Sequence, residues 1–208
     1  MLGRLAGHEY GVLGMLIIKH AVNTIEELRA TPAEYGIEVD IRAFGTELVL
    51  HHDPFVHGEL FADFLMDYKH AFIILNIKCE GIEAEVIKLV EDRGIEEYFL
   101  LDVTTPFILK LIDQGVRKIA IRFSEMEAIE TCFRFKGLVD WVFVDNITHL
   151  PVTDQAFIKL RQHYQLCIVS PELLNRSGIQ ETKMLLRSNP VDAVLTDEVG
   201  KWLPKPGG

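Results

Sequence analysis

The chain has 208 residues, 49% of them hydrophobic, enough for one large core and giving no reason to divide it into two domains. A formal charge of -10 and a pI near 5.3, without clustered Lys and Arg, exclude a surface built to coat nucleic acid. Three cysteines, Cys79, Cys132 and Cys167, are odd in number and widely spaced, which fits neither a zinc site nor a disulfide framework and points to a reducing cytoplasm.

Residues 1–14 carry Gly3, Gly7, Gly11 and Gly14 and no sustained hydrophobic period, so they read as an N-terminal extension, with Met15 as the original start of a unit spanning 15–208. The apolar run Val12 to Ile18 is broken by Gly14 and ended by Lys19, too short to span a bilayer, so no stable membrane insertion is expected and the chain reads as cytoplasmic. Leu16 to Lys19 is a strand ending at His20. Thr24 and Glu27 then form a capping box for a helix over Ile25 to Ala30, leaving His20 on a strand-to-helix loop.

From Gly36 to Arg42, Ile37, Val39 and Ile41 alternate with Glu38, Asp40 and Arg42, the period of a strand. Glu38 and Asp40 therefore face the same way, about 6 to 7 Å apart, a spacing that suits a hard divalent cation. After a turn at Phe44-Gly45-Thr46, a second strand ends in His51-His52-Asp53-Pro54, where proline stops it and leaves imidazoles at its tip. Imidazole is the side chain best matched to proton transfer near neutral pH. Neighbouring strand residues face opposite ways, so only one of His51 and His52 addresses a site directly.

A helix is expected over Gly58 to Tyr68, then a buried strand at Phe72 to Leu75 that runs into Asn76-Ile77-Lys78, with Asn76 and Lys78 on one face. The alternation continues with a helix at Ile82 to Arg93, a strand at Tyr98 to Leu101 ending in Asp102, a helix at Pro106 to Asp113, and a strand at Lys118 to Ile121 ending in Arg122. A helix from Ser124 to about Phe133, a strand at Val139 to Val144 ending in Asp145, and a helix at Thr153 to His163 come next. A strand at Leu166 to Val169 leads to Ser170-Pro171-Glu172, a helix spans Gln180 to Arg187, and Ala193 to Leu195 ends at Thr196-Asp197. Lys201 to Pro204 reads as a last short helix or cap. His57, His70, His149 and His163 read as surface residues.

Eight apolar strands alternating with helices predict an α/β fold, a small single-domain (β/α)8 TIM barrel with the hairpin after the second strand as its one insertion. In that fold the carboxyl ends of the strands gather His20, Glu38, Asp40, Asn76, Lys78, Asp102, Arg122, Asp145, Glu172 and Asp197.

So placed, these residues resemble the glycerophosphodiester phosphodiesterase family, in the superfamily of phosphatidylinositol-specific phospholipases C. His20 with Asn23-Thr24 looks like a compressed form of the family's His-Arg-Gly and Glu-Asn-Thr, and Glu38-Val39-Asp40 matches its Glu-x-Asp. His52-Asp53-Pro54 matches its His-Asp-Pro, Asn76-Ile77-Lys78 its Glu-x-Lys, and Thr196-Asp197 its closing Thr-Asp. The resemblance implies a divalent metal ion, Mg²⁺ or Ca²⁺, held by Glu38, Asp40 and Asn76, and a small phosphodiester substrate met by Lys78, with Arg122 read as a replacement for the arginine that the family has at Ala21. It implies acid-base catalysis by His20 and His52, with the nucleophile either water or a substrate hydroxyl. Two positions depart from the family, Ala21 for arginine and Asn76 for glutamate. They motivate a rival reading as a module that binds a phosphorylated ligand without cleaving it. A further rival is a barrel lyase or isomerase using Lys78 as a Schiff-base amine. The oligomeric state stays open.

Overall fold

The computed structural model describes residues 14–203, so the extension read over 1–14, Gly14 aside, lies outside the described residues, as does Pro204. The strands are β1 (Leu16–Lys19), β2 (Gly36–Phe44), β3 (Glu47–Leu50), β4 (Glu59–Leu60), β5 (Phe72–Ile77), β6 (Tyr98–Leu101), β7 (Ala120–Phe123), β8 (Trp141–Val144), β9 (Gln165–Val169) and β10 (Ala193–Thr196). Between them run helices α1 (Ile25–Ala30), α2 (Phe61–Phe64), α3 (Glu83–Asp92), α4 (Thr105–Asp113), α5 (Ile129–Arg134), α6 (Asp154–Arg161), α7 (Ile179–Ser188) and α8 (Val199–Trp202).

Parallel pairing runs β6-β5-β2-β1-β10-β9-β8-β7. A single parallel bridge between Leu100 and Ile119 joins β6 to the start of β7 and completes a ring of eight, the predicted barrel. The far end of β2 runs on past the ring into an antiparallel meander with β3 and β4.

Two expected helices are shorter than the hydrophobic pattern suggested. Residues 59–60 pair with β3 instead of starting a helix, and α2 covers only Phe61–Phe64. The tight approach there depends on Gly58, since a Cβ at that position would lie 2.0 Å from the Leu50 carbonyl oxygen. The segment opening at Ser124 stays a turn until Ile129, because the Ser124 hydroxyl accepts from the Met126 amide at 3.1 Å and donates to Glu127.

Period two sorts the strand residues into two cores. One set, including Ile37, Val39, Ile41, Ile73, Leu75 and Leu100, packs outward under the helices. The other, including Leu16, Ile18, Phe72, Ile74, Phe99, Trp141 and Phe143, fills the barrel interior. Its floor is an aromatic cluster in which Phe72, Phe99 and Trp141 have ring centroids 4.9 to 5.6 Å apart. Gly36 faces this floor, and a Cβ there would meet Ile18 Cγ1 at 2.9 Å and Phe72 Cβ at 3.2 Å. Glu38 and Asp40 are in phase with Gly36, so the column of β2 that starts on an aromatic floor ends in two carboxylates at the barrel's upper rim.

Candidate active site

Asp40 sits beside Asn76 in the β2–β5 register, and both are buried with Glu38. The Asn76 amide nitrogen donates to Glu38 Oε1 at 2.7 Å and to Asp40 Oδ1 at 3.3 Å. The other carboxylate oxygens are held from the β1–α1 loop. The Ala21 amide donates to Glu38 Oε2 at 2.8 Å, and the Asn23 side chain donates to Asp40 Oδ2 while accepting from the Asp40 amide, both at 2.8 Å. Ala21 makes its bond from a left-handed backbone conformation at φ 52, strain of the kind that concentrates at functional sites.

A charged chain leads away from this pair. Lys78 Nζ lies 3.2 Å from Asp40 Oδ1 and 3.9 Å from Asp102 Oδ2. Arg122 donates to Asp102 Oδ1 through Nε at 3.1 Å and Nη2 at 2.6 Å, and its Nη1 pairs with Asp145. Asp145 Oδ1 accepts from the Asn146 amide at 2.9 Å, and Asn146 accepts from Arg176. Burial depresses Arg122, but the facing Asp102 and Asp145 carboxylates outweigh it and hold the guanidinium above its ordinary pKa. Burial, and then the neighbouring Asp40 charge, push the Glu38 carboxyl upward.

The imidazoles take different settings. His20 follows β1 and places Nδ1 3.3 Å from Asp197 Oδ1, which also meets Lys19 Nζ at 3.3 Å. His52 is exposed, with Nδ1 2.9 Å from Asp53 Oδ1, and this contact holds the Asp53 carboxyl below its usual range. His51 turns back on its own loop, its Nδ1 accepting from the Asp53 amide at 2.9 Å. Both histidines line a cavity of about 530 Å³ together with Ala21, Asn23 and Glu59. Glu172 leaves the charged chain and bonds Ser170 and Thr196, under Trp202. His70, read as a surface residue, is half-buried and bonds the Thr31 carbonyl at 2.9 Å, and its desolvation lowers its pKa.

Three residues that position the site were not singled out for this work by the sequence. Arg42 donates to the His52 carbonyl through Nε and to the Lys78 carbonyl through Nη1, both at 2.9 Å, tying the tip of β3 to the tip of β5. Glu59 caps the Ile25 amide at 2.7 Å. Asn23 was visible only as part of a motif, whereas its reciprocal clasp on Asp40 depends on the loop's path.

Among the described residues no group of three or more His, Cys, Asp and Glu side chains is arranged to hold a metal ion. The donor set of Glu38, Asp40 and Asn76 nevertheless fits a hard dication. Asn76 Oδ1 is buried without a partner, so turning the amide over removes no bond from that oxygen and brings a third oxygen toward the two carboxylates.

No family model matches the chain, and no curated protein matches its sequence. Solved structures do. A protein of Agrobacterium tumefaciens strain C58 assigned as a glycerophosphoryl diester phosphodiesterase superposes with a TM-score of 0.67 at 16% identity, over 88% of this chain and 94% of that one. A glycerophosphoryl diester phosphodiesterase from Parabacteroides distasonis gives 0.63 at 13% identity, over 95% and 89%. A glycerophosphodiester phosphodiesterase, also from A. tumefaciens C58, gives 0.60 at 12% identity, over 90% and 98%. The chain therefore has the barrel fold seen in these glycerophosphodiester phosphodiesterases.

Proposed function

We propose that the chain is a phosphoric diester hydrolase acting on a glycerophosphodiester-like substrate, with a divalent metal ion, Mg²⁺ or Ca²⁺, held by Glu38, Asp40 and Asn76. The observation that carries this reading is the buried Glu38–Asp40–Asn76 cluster set against Lys78, at the carboxyl-terminal rim of a barrel with this fold. A dication held there would supply charge neutralisation at the phosphate and make the nucleophile easier to deprotonate.

The chain's own residues do the rest. Lys78 and Arg122, linked through Asp102, offer two cations to the other phosphate oxygens. His20 and His52 move protons on either side of phosphorus, one removing a proton from the nucleophile and the other protonating the leaving alkoxide. Asp197 and Asp53 orient those rings through their contacts at Nδ1. With Nδ1 so engaged, Nε2 is the nitrogen presented to substrate.

The test is hydrolysis of glycerophosphodiesters, lysophospholipids and bis(p-nitrophenyl) phosphate with Mg²⁺, Ca²⁺, Mn²⁺ or chelator, beside His52→Ala and His20→Ala. Turnover abolished by chelator and cut about a hundred-fold or more by either substitution supports the reading. Binding of these diesters without product would overturn it in favour of a non-cleaving module.

A further inference from the structure

Beside the phosphate-facing cations, between the β5–α3 and β6–α4 loops, lies a separate cavity of about 150 Å³ lined by Lys78, Cys79, Glu80, Glu83, Asp102 and Thr104, with Ile77. Two of its lining residues carry an unpaired buried oxygen. Glu83 is 2% exposed, and while its Oε2 accepts from the Gly81 amide at 2.9 Å, its Oε1 is buried with no hydrogen-bond partner. Thr104 Oγ1 is likewise buried without a partner, although Thr104 sits at the helix-capping position of α4, where a hydroxyl ordinarily bonds the first turn. A buried oxygen left unpaired costs about 1–3 kcal/mol, and more on a charged group, so two such oxygens on residues lining one cavity call for a partner.

The charges around the cavity give the occupant's sign. Glu80, Glu83 and Asp102 bring three carboxylates. Of the lining residues only Lys78 is cationic, and its ammonium lies closer to Asp40, at 3.2 Å, than to Asp102, at 3.9 Å; Arg122 pairs with Asp102 from outside the cavity. Arg122 binds Asp102 through Oδ1, which leaves Oδ2 on the side of Lys78. The Cys79 sulfur is taken by the Ala43 amide at 3.2 Å. The free donors are thus carboxylate and hydroxyl oxygens, a hard set that suits Ca²⁺, whose irregular shell of oxygens tolerates neutral and charged ligands together with water.

We propose that this cavity is a Ca²⁺ site built by Glu83, Asp102 and Thr104, distinct from the Glu38–Asp40–Asn76 seat. It stands apart from the catalytic reading, since none of its unpaired atoms belongs to that cluster. Through Asp102, which also meets Lys78 and Arg122, an ion here would fix the spacing of the two cations without touching substrate.

The experiment is calorimetric titration of the full chain with Ca²⁺ alone, for wild type, Glu83→Gln, Thr104→Val and Glu38→Gln. Wild type is expected to bind one more Ca²⁺ than Glu83→Gln, Thr104→Val to bind at the same site at least ten-fold more weakly, and Glu38→Gln to retain the Glu83-dependent ion. Circular dichroism checks that Glu83→Gln is folded; if it is not, Thr104→Val decides alone. Unchanged Ca²⁺ stoichiometry and affinity in both cavity variants would overturn the site and show that water fills it. Loss of all Ca²⁺ binding in Glu38→Gln would do the same. Because the readout is binding, failure of the phosphodiesterase reading would leave this result intact.

Discussion

Arg42 fixes His52 through the main chain, its Nε donating to the His52 carbonyl at 2.9 Å while Nη1 of the same guanidinium caps Lys78. No other side chain carries donors in that forked geometry, so Arg42→Lys cannot reach both carbonyls. On the proposed role of His52, turnover is expected to fall about ten- to a hundred-fold, with KM changed far less, because misplacing a proton-transfer group costs rate before it costs binding. Steady-state kinetics of Arg42→Lys and Arg42→Gln, beside their thermal melts, check this; wild-type kcat in both would remove Arg42 from the site.

Glu38 imposes a stability cost that depends on pH. Its carboxyl titrates above the ordinary range, first through burial and then through Asp40. Below the unfolded-state pKa both states are protonated and there is no cost. As pH rises past it, the unfolded chain ionises first and the native state is disfavoured, up to the folded-state pKa and beyond. Glu38→Gln should therefore raise the metal-free Tm by about 2–6 °C at neutral pH, with the gain vanishing in acid. The turned-over Asn76 amide would also find a donor for its unpaired oxygen. Melting curves from pH 3 to 8 in chelator test the sign; a lower Tm at pH 7 contradicts it.

In the proposed metal seat, Asn76 sets cation affinity against apo stability. Asn76→Glu adds a third carboxylate to a buried pair and removes the amide hydrogens that bridge them. Mg²⁺ or Ca²⁺ affinity should rise about ten-fold or more while the chelated protein melts lower. Titration calorimetry paired with melts in chelator reads both. Equal affinities would show that Asn76 faces no cation.

Gly36 is required by the floor of the barrel. Gly36→Ala puts a methyl 2.9 Å from the Ile18 side chain at Cγ1, 3.2 Å from Phe72 Cβ and 3.3 Å from the Phe72 carbonyl oxygen, and should cost about 1–3 kcal/mol. Denaturant unfolding measures it, and a neutral result would mean that the aromatic layer yields.

Much of this was readable from period and punctuation. Alternation in β2 put Glu38 and Asp40 on one face, and the polar residue ending each apolar run reached the rim because strand phase carries through to its last residue. What the sequence concealed was pairing. Gly58 gave no sign that it admits a third antiparallel strand, since the Leu50 carbonyl that presses on it is a tertiary neighbour. Glu83 looked like any acidic residue opening a helix, and only its burial marks it out. Arg42 followed the charged face of its strand, while its two acceptors are carbonyls, which no side-chain pattern encodes.

The ring is stitched unevenly. Every neighbouring pair of barrel strands shares two or more registered residues except β6 and β7, joined by the one bridge at Leu100–Ile119. The two cations flank that seam: Lys78 follows β5 and Arg122 lies in β7, while Asp102, at the end of β6, pairs with both. The spacing of the two cations is therefore set at the least-paired place in the wall, by one carboxylate that they share.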